Sequence, residues 1–407
     1  VGSNGTLYLL QPDGNLDTWQ NGNGTPLATN ASSFQLAPNG AVYAMLPYGA
    51  LESWTGSGSR WTLVEGNVNS FQVGPNGTLY LLEPGGSLDI WQNGILSWQK
   101  NVSSFQLTPK GTVYALLPYG VLESSTGLGS NWTQLEGNVR SYQVAPNGML
   151  YALQPGGNLD LWDYGSWSLL AAKTNSFEIG PDGTLYDMLP HGAFYTWTGF
   201  EGTWAPVAGN VSSYQVGANG TVFVLQAGNL DLWENGSLVL LAANSSSFHV
   251  GPDGTVYLVL SGNALYSWNG FGGSWTSLEG NITSYEIAAN GTLFALQSDN
   301  LAVWEGGSWA TLIGNASSFE IGSNGTTYVV LPNHALYAWT GFGGTWTALE
   351  GNISGYQVAP NGMLYALQTT NLNVWENGSW ATLTGNASSF QIGPDGTLYV
   401  LLPGNAL

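Results

Sequence analysis

Two kinds of side chain recur at fixed spacing along the chain, and both could do chemistry. Asp17, Asp89, Asp160 and Asp231 each stand two residues before a tryptophan, namely Trp19, Trp91, Trp162 and Trp233. Glu65, Glu136, Glu279 and Glu350 each stand before a Gly-Asn pair. A ring of carboxylates could hold Ca2+ or accept hydrogen bonds from sugar hydroxyls, and indole faces beside them could stack on sugar rings. The plainer expectation is that the acids are solvated loop residues or caps on neighbouring backbone N–H groups, and that the tryptophans are framework. No spacing of acids resembles an EF-hand loop, and no HExxH, GxSxG or Ser-His-Asp order occurs. His191 and His334 follow Leu-Pro and Leu-Pro-Asn and look like turn variants. Catalytic acids usually break a repeat, and no non-repeated acid stands out here. The expectation is therefore no enzyme, no cofactor and no metal. Trp91, Trp162, Trp233, Asp89, Asp160 and Asp231 are the candidate ligand or assembly contacts.

Seventeen Asn-x-Ser/Thr sequons occur, with Asn4, Asn101, Asn131 and Asn281 among them. Asn101, Asn131 and Asn281 are candidate N-glycan sites on an exported chain. Asn-Gly-Thr is also what a hairpin turn followed by a strand-former looks like, which explains many sequons without any glycan.

Composition narrows the partners. The 407 residues hold 5 Lys+Arg against 25 Asp+Glu, a formal net charge of −20, and only 7% of residues are charged. Five cations cannot neutralise a row of phosphates, which excludes nucleic-acid binding and disfavours an anionic membrane surface. No stretch is apolar over the length a membrane-spanning helix needs. The absence of cysteine removes disulfides and thiolate chemistry. With 43% hydrophobic and 13% aromatic residues the chain can build a core, so it is not disordered.

The elements that must position these side chains are repeats. A turn glycine recurs twelve times from Gly5 to Gly396, at spacings of 34 or 35 alternating with 37. The period is a pair of unlike units, 71 or 72 residues long. Each unit carries four short runs of β-branched and aromatic residues separated by Gly/Asn/Pro turns, the strand-hairpin signature. All 19 tryptophans fall in two columns: ten in the third run, Trp19 to Trp375, and nine in the fourth, Trp61 to Trp380. The expectation is an all-β chain of tandem four-stranded antiparallel blade-like units, forming either a β-propeller or an open array. Residues 1–407 are one continuous array, with both Trp columns mostly buried between units.

Trp275, Leu278, Gly280-Asn281, Ser284 to Ile287, Asn290-Gly291 and Leu293 to Leu296 form a skeleton that resembles tectonin-type β-propeller repeats. The resemblance implies four-stranded blades closing a ring, and several members of that family are lectins. No sugar-binding motif matches residue by residue, so no ligand residue carries over. Twelve units exceed the usual four to eight blades, and the ends do not sum to one complete blade. An open array, a longer array, or completion by a neighbouring copy is expected, with an edge such as Leu398 to Leu402 covered by one of these. The function expected first is a non-catalytic exported protein with a structural role in a cell-surface or extracellular assembly (fibre, stalk or layer), self-associating through its repeats. The alternative is a lectin-like multivalent carbohydrate binder. Exposure of the tryptophans discriminates between the two.

Overall fold

A computed structural model of the chain describes residues 6–402 except 12–13, 21–22, 47–48, 57–59, 93, 128–129, 164, 199–201, 235, 271–272, 306, 323, 340–343, 360–361, 377 and 394–397. Gly5, Gly396 and the sequon Asn4 lie outside the described residues.

The chain is nearly all β, with 45 strands and two short 3-10 turns, Pro118–Gly120 and Pro190–Gly192, among the described residues. Ten sheets are four-stranded antiparallel meanders in simple sequence order. We number the sheets as blades: 1 (7–28), 2 (33–65), 3 (70–101), 4 (104–136), 5 (141–171), 6 (176–208), 7 (211–243), 8 (245–279), 9 (282–313), 10 (318–350), 11 (353–384) and 12 (389–401). Three strands of blade 1 and two of blade 12 are described.

Strand two of blades 2 to 11 is the best buried. Leu79–Leu82 and Leu150–Leu153 are covered on both faces, as their continuous apolar sequence requires. Each such side chain contributes roughly 1.5–3 kcal/mol by leaving water. Strand four, such as Ser308–Ile313, is the outer edge and alternates exposed with half-buried residues. The one-to-two turns are set by local chemistry. Asn76 Oδ1 accepts from Thr78 N–H at 3.1 Å, and Gly77 follows at φ 81°, where only glycine is unstrained. Strand four carries a bulge opposite strand three, as between Leu88 and Asp89, Leu159 and Asp160, and Leu230 and Asp231.

Consecutive blades are stitched by side chains of strand one. Gln35 accepts from Val73 N–H at 2.8 Å and donates to Phe71 O at 3.0 Å, tying blade 2 to blade 3. Gln215 accepts from Val250 N–H of blade 8 at 2.8 Å and donates to the Val250 carbonyl at 3.3 Å. Glutamate fills the position in blades 6, 9 and 10, where Glu178, Glu286 and Glu320 accept from Val216, Ile321 and Val358.

The chain forms two compact units, one of residues 1–107, 111–135 and 284–407, the other of 108–110 and 136–283. Within the first, blade ends eight blades apart meet. A Cβ placed on Gly325 of blade 10 would lie 3.4 Å from Ser32 Cβ, just before blade 2. A Cβ on Gly362 of blade 11 would run into the Asn69 side chain, just before blade 3, and Gly85 of blade 3 lies against Met363 Sδ.

Candidate functional site

The acids of strand three are not solvated loop residues. Asp89 and Asp231 are buried, and Asp17 and Asp160 half-buried, each inside a strand beside the bulge. Gln11 and Gln226, in the two-to-three turns, donate to Asp17 and Asp231 respectively, the latter at 3.0 Å. Desolvation pushes the Asp89 and Asp160 carboxyls above the usual carboxylate range. In blade 3 the turn residue is Glu83 in place of Gln, and burial with the nearby Asp89 pushes it up to about 7. Among the described residues no group of three or more His, Asp or Glu side chains could hold a metal ion. The Glu column does cap backbone: Glu65, Glu136, Glu279 and Glu350 each accept from the N–H of the following glycine at 2.8–3.0 Å.

The expected burial of both tryptophan columns is corrected by the structure. Trp197, Trp268 and Trp339 are buried, Trp19 and Trp98 are exposed, and the other fourteen, Trp91, Trp162 and Trp233 included, are half-buried. The reason is position in the sheet. The three buried rings sit edge-on against strand two of the preceding blade, as Trp197 does against Tyr151 at 6.4 Å. The strand-four column lies on the outer strand and is covered on one side only. Its indoles reach back instead: Trp61 donates to Leu27 O at 2.9 Å and Trp275 to Leu241 O at 3.3 Å, each in the preceding blade. In the other unit type the two columns pair across a tight hairpin, as Trp162 and Trp167 do at 5.1 Å.

His191 and His334 do occupy turns, at φ 64° and 61°. The sequon residues Asn101, Asn131 and Asn281 are exposed.

One acid was missed by the reading of repeats. Asp187 stands in strand two of blade 6, opposite Phe177 and Tyr195. The same register position holds Ala44, Leu81, Ala115, Ala152, Val224, Leu258, Val329 and Ala366 in other blades. A single acid in an apolar column was the available signal. Asp187 is 2% exposed, and its Oδ1 has no hydrogen-bond partner. It lines a cavity of about 170 Å3 together with Ala171, Ala172, Leu189, Tyr195 and Trp204. Burial, offset in part by Thr174, pushes its carboxyl up to about 6.

No protein-family model matches the chain, and no curated protein matches it. Solved structures similar to it include the extracellular domain of a one component system from B. thetaiotaomicron, at 10% identity and TM-score 0.33, over 96% of this chain and 66% of that one. The extracellular domain of a hybrid two component system from the same organism has 11% identity and TM-score 0.31, over 98% and 73%. The tricorn protease has 11% identity and TM-score 0.39, over 98% and 55%. This chain thus spans less than two thirds of the first and third.

Proposed function

We propose that the chain is a non-catalytic, exported repeat protein that stacks on further copies of itself in a cell-surface or extracellular assembly. The observation that carries this reading is the meeting of blade ends inside the first unit. Ser32 and Asn69 are covered by turns of blades 10 and 11, whereas Ser212, Ser246, Ser317 and Ser354, at the same repeat position as Asn69, are exposed. One kind of blade end fits the other, and most ends of both kinds are free. A surface complementary to a different surface of the same molecule makes a head-to-tail contact, which propagates into an open filament. The low charge, with 7% of residues charged, suits close stacking and an extracellular setting.

Sedimentation velocity over a concentration series tests this. The parent chain is expected to grow with concentration, and the double variant Ser212→Arg/Ser354→Arg to remain monomeric. A parent that stays monomeric at every concentration overturns the reading.

A second reading is favoured by one observation, the fourteen half-buried tryptophans. Half-buried indoles such as Trp162, two residues from the half-buried Asp160, could take sugar rings, as a tectonin-type lectin would. Saturable quenching of tryptophan fluorescence by an oligosaccharide would support this reading over the first.

A further inference from the structure

Two seams between consecutive blades can be superposed residue by residue. Strand register pairs Leu88 with Lys100 in blade 3 and Leu159 with Ala171 in blade 5, so Lys100 and Ala171 share one place. In the following blade Ala115 pairs with Glu123, and Asp187 with Tyr195. Trp132, just before strand four of blade 4, and Trp204, the first residue of strand four of blade 6, stand four residues before Glu136 and Ala208 respectively.

In the first seam an ammonium is in place. Lys100 Nζ pairs with the Glu123 carboxylate and lies 4.9 Å from the centroid of the Trp132 ring. In the second seam the lysine is an alanine. The carboxylate has moved from strand three to the facing site on strand two, as Asp187, and Tyr195 stands where Glu123 does. The aromatic wall is kept as Trp204. What is left is the cavity, with Asp187 Oδ1 buried and outside hydrogen-bond geometry, and the neutral Thr174 hydroxyl near the carboxyl where Lys100 stood in the other seam.

A buried carboxylate without a charged partner is strongly unfavourable, and a cation beside it removes much of that cost. An indole face adds to the attraction for a desolvated cation. A neutral sugar supplies no compensating charge, and the cavity is smaller than the roughly 300 Å3 at which small-molecule sites begin. We propose that the cavity between blades 5 and 6 is a binding site for a primary alkylammonium group, held by Asp187 and Trp204 as Lys100 is held by Glu123 and Trp132. The group can come from a free amine or from a lysine side chain. Ammonium donates to Asp187 Oδ1, and its alkyl stem lies against Leu189 and Ala172.

Calorimetric titration of the full chain with n-butylammonium chloride, with N-acetyl-lysine methylamide and with tetramethylammonium chloride at matched ionic strength tests the site. Saturable binding of butylammonium or of the lysine derivative is expected, and which of the two binds assigns the source. Asp187→Asn is expected to weaken binding at least tenfold. Asp187→Ala restores the residue found at Ala115 and Ala152, so it should fold and not bind. Ala171→Lys is expected to fill the cavity from within, raise Tm and abolish the titration. No saturable binding of either primary ammonium overturns the proposal. So does undiminished binding by Asp187→Asn, or tetramethylammonium binding equal to butylammonium, because that ion has no N–H to donate.

Discussion

Residues 101–105 read Asn-Val-Ser-Ser-Phe and residues 210–214 read Asn-Val-Ser-Ser-Tyr. The two segments lead into strand one of blades 4 and 7 differently: Asn101 ends strand four of blade 3 and strand one begins at Ser104, whereas Asn210 turns at φ 55° and strand one begins at Val211 with a bulge before Ser213. Ser104 pairs with Leu116 and Ser213 with Leu225, and both valines are buried. Yet Ser103 is 5% exposed while Ser212 is on the surface. Ser103 stands at the same repeat position as Ser32 and Asn69, and those two residues meet turns eight blades further along the chain. At the opposite ends Gly291 and Gly362 are buried in blades 9 and 11, while Gly183, Gly220 and Gly254, in the same place in the turns of blades 6, 7 and 8, are half-buried. Local sequence therefore builds the blade, and contacts between distant blades cover Ser32 and Asn69.

The largest test of this contrast puts one charge at two equivalent places. Asn69→Arg forces a cation into the contact with Gly362, and burying an unpaired charge costs about 3–5 kcal/mol. Ser212→Arg adds the same charge to an exposed end, where a change within about 0.5 kcal/mol is expected. Urea unfolding of both variants measures the two losses. Equal losses would break the contrast.

A smaller substitution separates backbone strain from crowding. Gly362 and Gly183 sit at φ 76° and 85°, so Ala strains both by about 1 kcal/mol. A Cβ on Gly183 meets nothing within 4 Å, whereas on Gly362 it meets the Asn69 side chain. Gly362→Ala is therefore expected to lose about 1–3 kcal/mol more than Gly183→Ala in thermal unfolding.

The sequence carried the blade and hid the layering for one physical reason. Strand alternation, Asn-Gly turns and the Trp columns are local or one unit apart, so each unit declares them. The covering of Asn69 by Gly362 joins residues far apart in sequence, and Asn-Val-Ser-Ser is written alike whether covered or free. The tryptophans misled because a repeated position was taken for a buried one, although strand four has no strand beyond it. Asp160 and Asp231 were legible as a column, but their burial beside a bulge was not. Asp187 was legible only as a departure. It emerges when strand-two residues are aligned by register, because the acid columns that recur lie on strand three and drew attention away from it.

The smallest expected effect asks whether the two units also differ within a layer. In the strand-one ladder Gln35 and Gln215 both accept and donate, so each satisfies an N–H and a carbonyl of the next blade. Glu178 and Glu286 keep the acceptor, but only their protonated forms can donate as glutamine does. Burial pushes both up to about 7, from 4.5. The folded state therefore holds these protons more tightly than the unfolded chain. Their stabilising contribution is complete below pH 4.5 and is lost as pH rises through about 7. With each group still partly solvated, the loss is on the order of 1–2 kcal/mol per residue. Glu178→Gln and Glu286→Gln should each flatten the fall in stability between about pH 5 and pH 8 and leave the protein more stable at the upper end. Glu178 lies in the second unit and Glu286 in the first, the unit in which Ser32 and Asn69 are met by distant turns. Equal gains from the two variants, read by urea unfolding at both pH values, would mean that blades are stitched alike throughout and that the units differ only between layers. A gain confined to Glu286→Gln would mean that the covered layer also tightens the ladder beneath it.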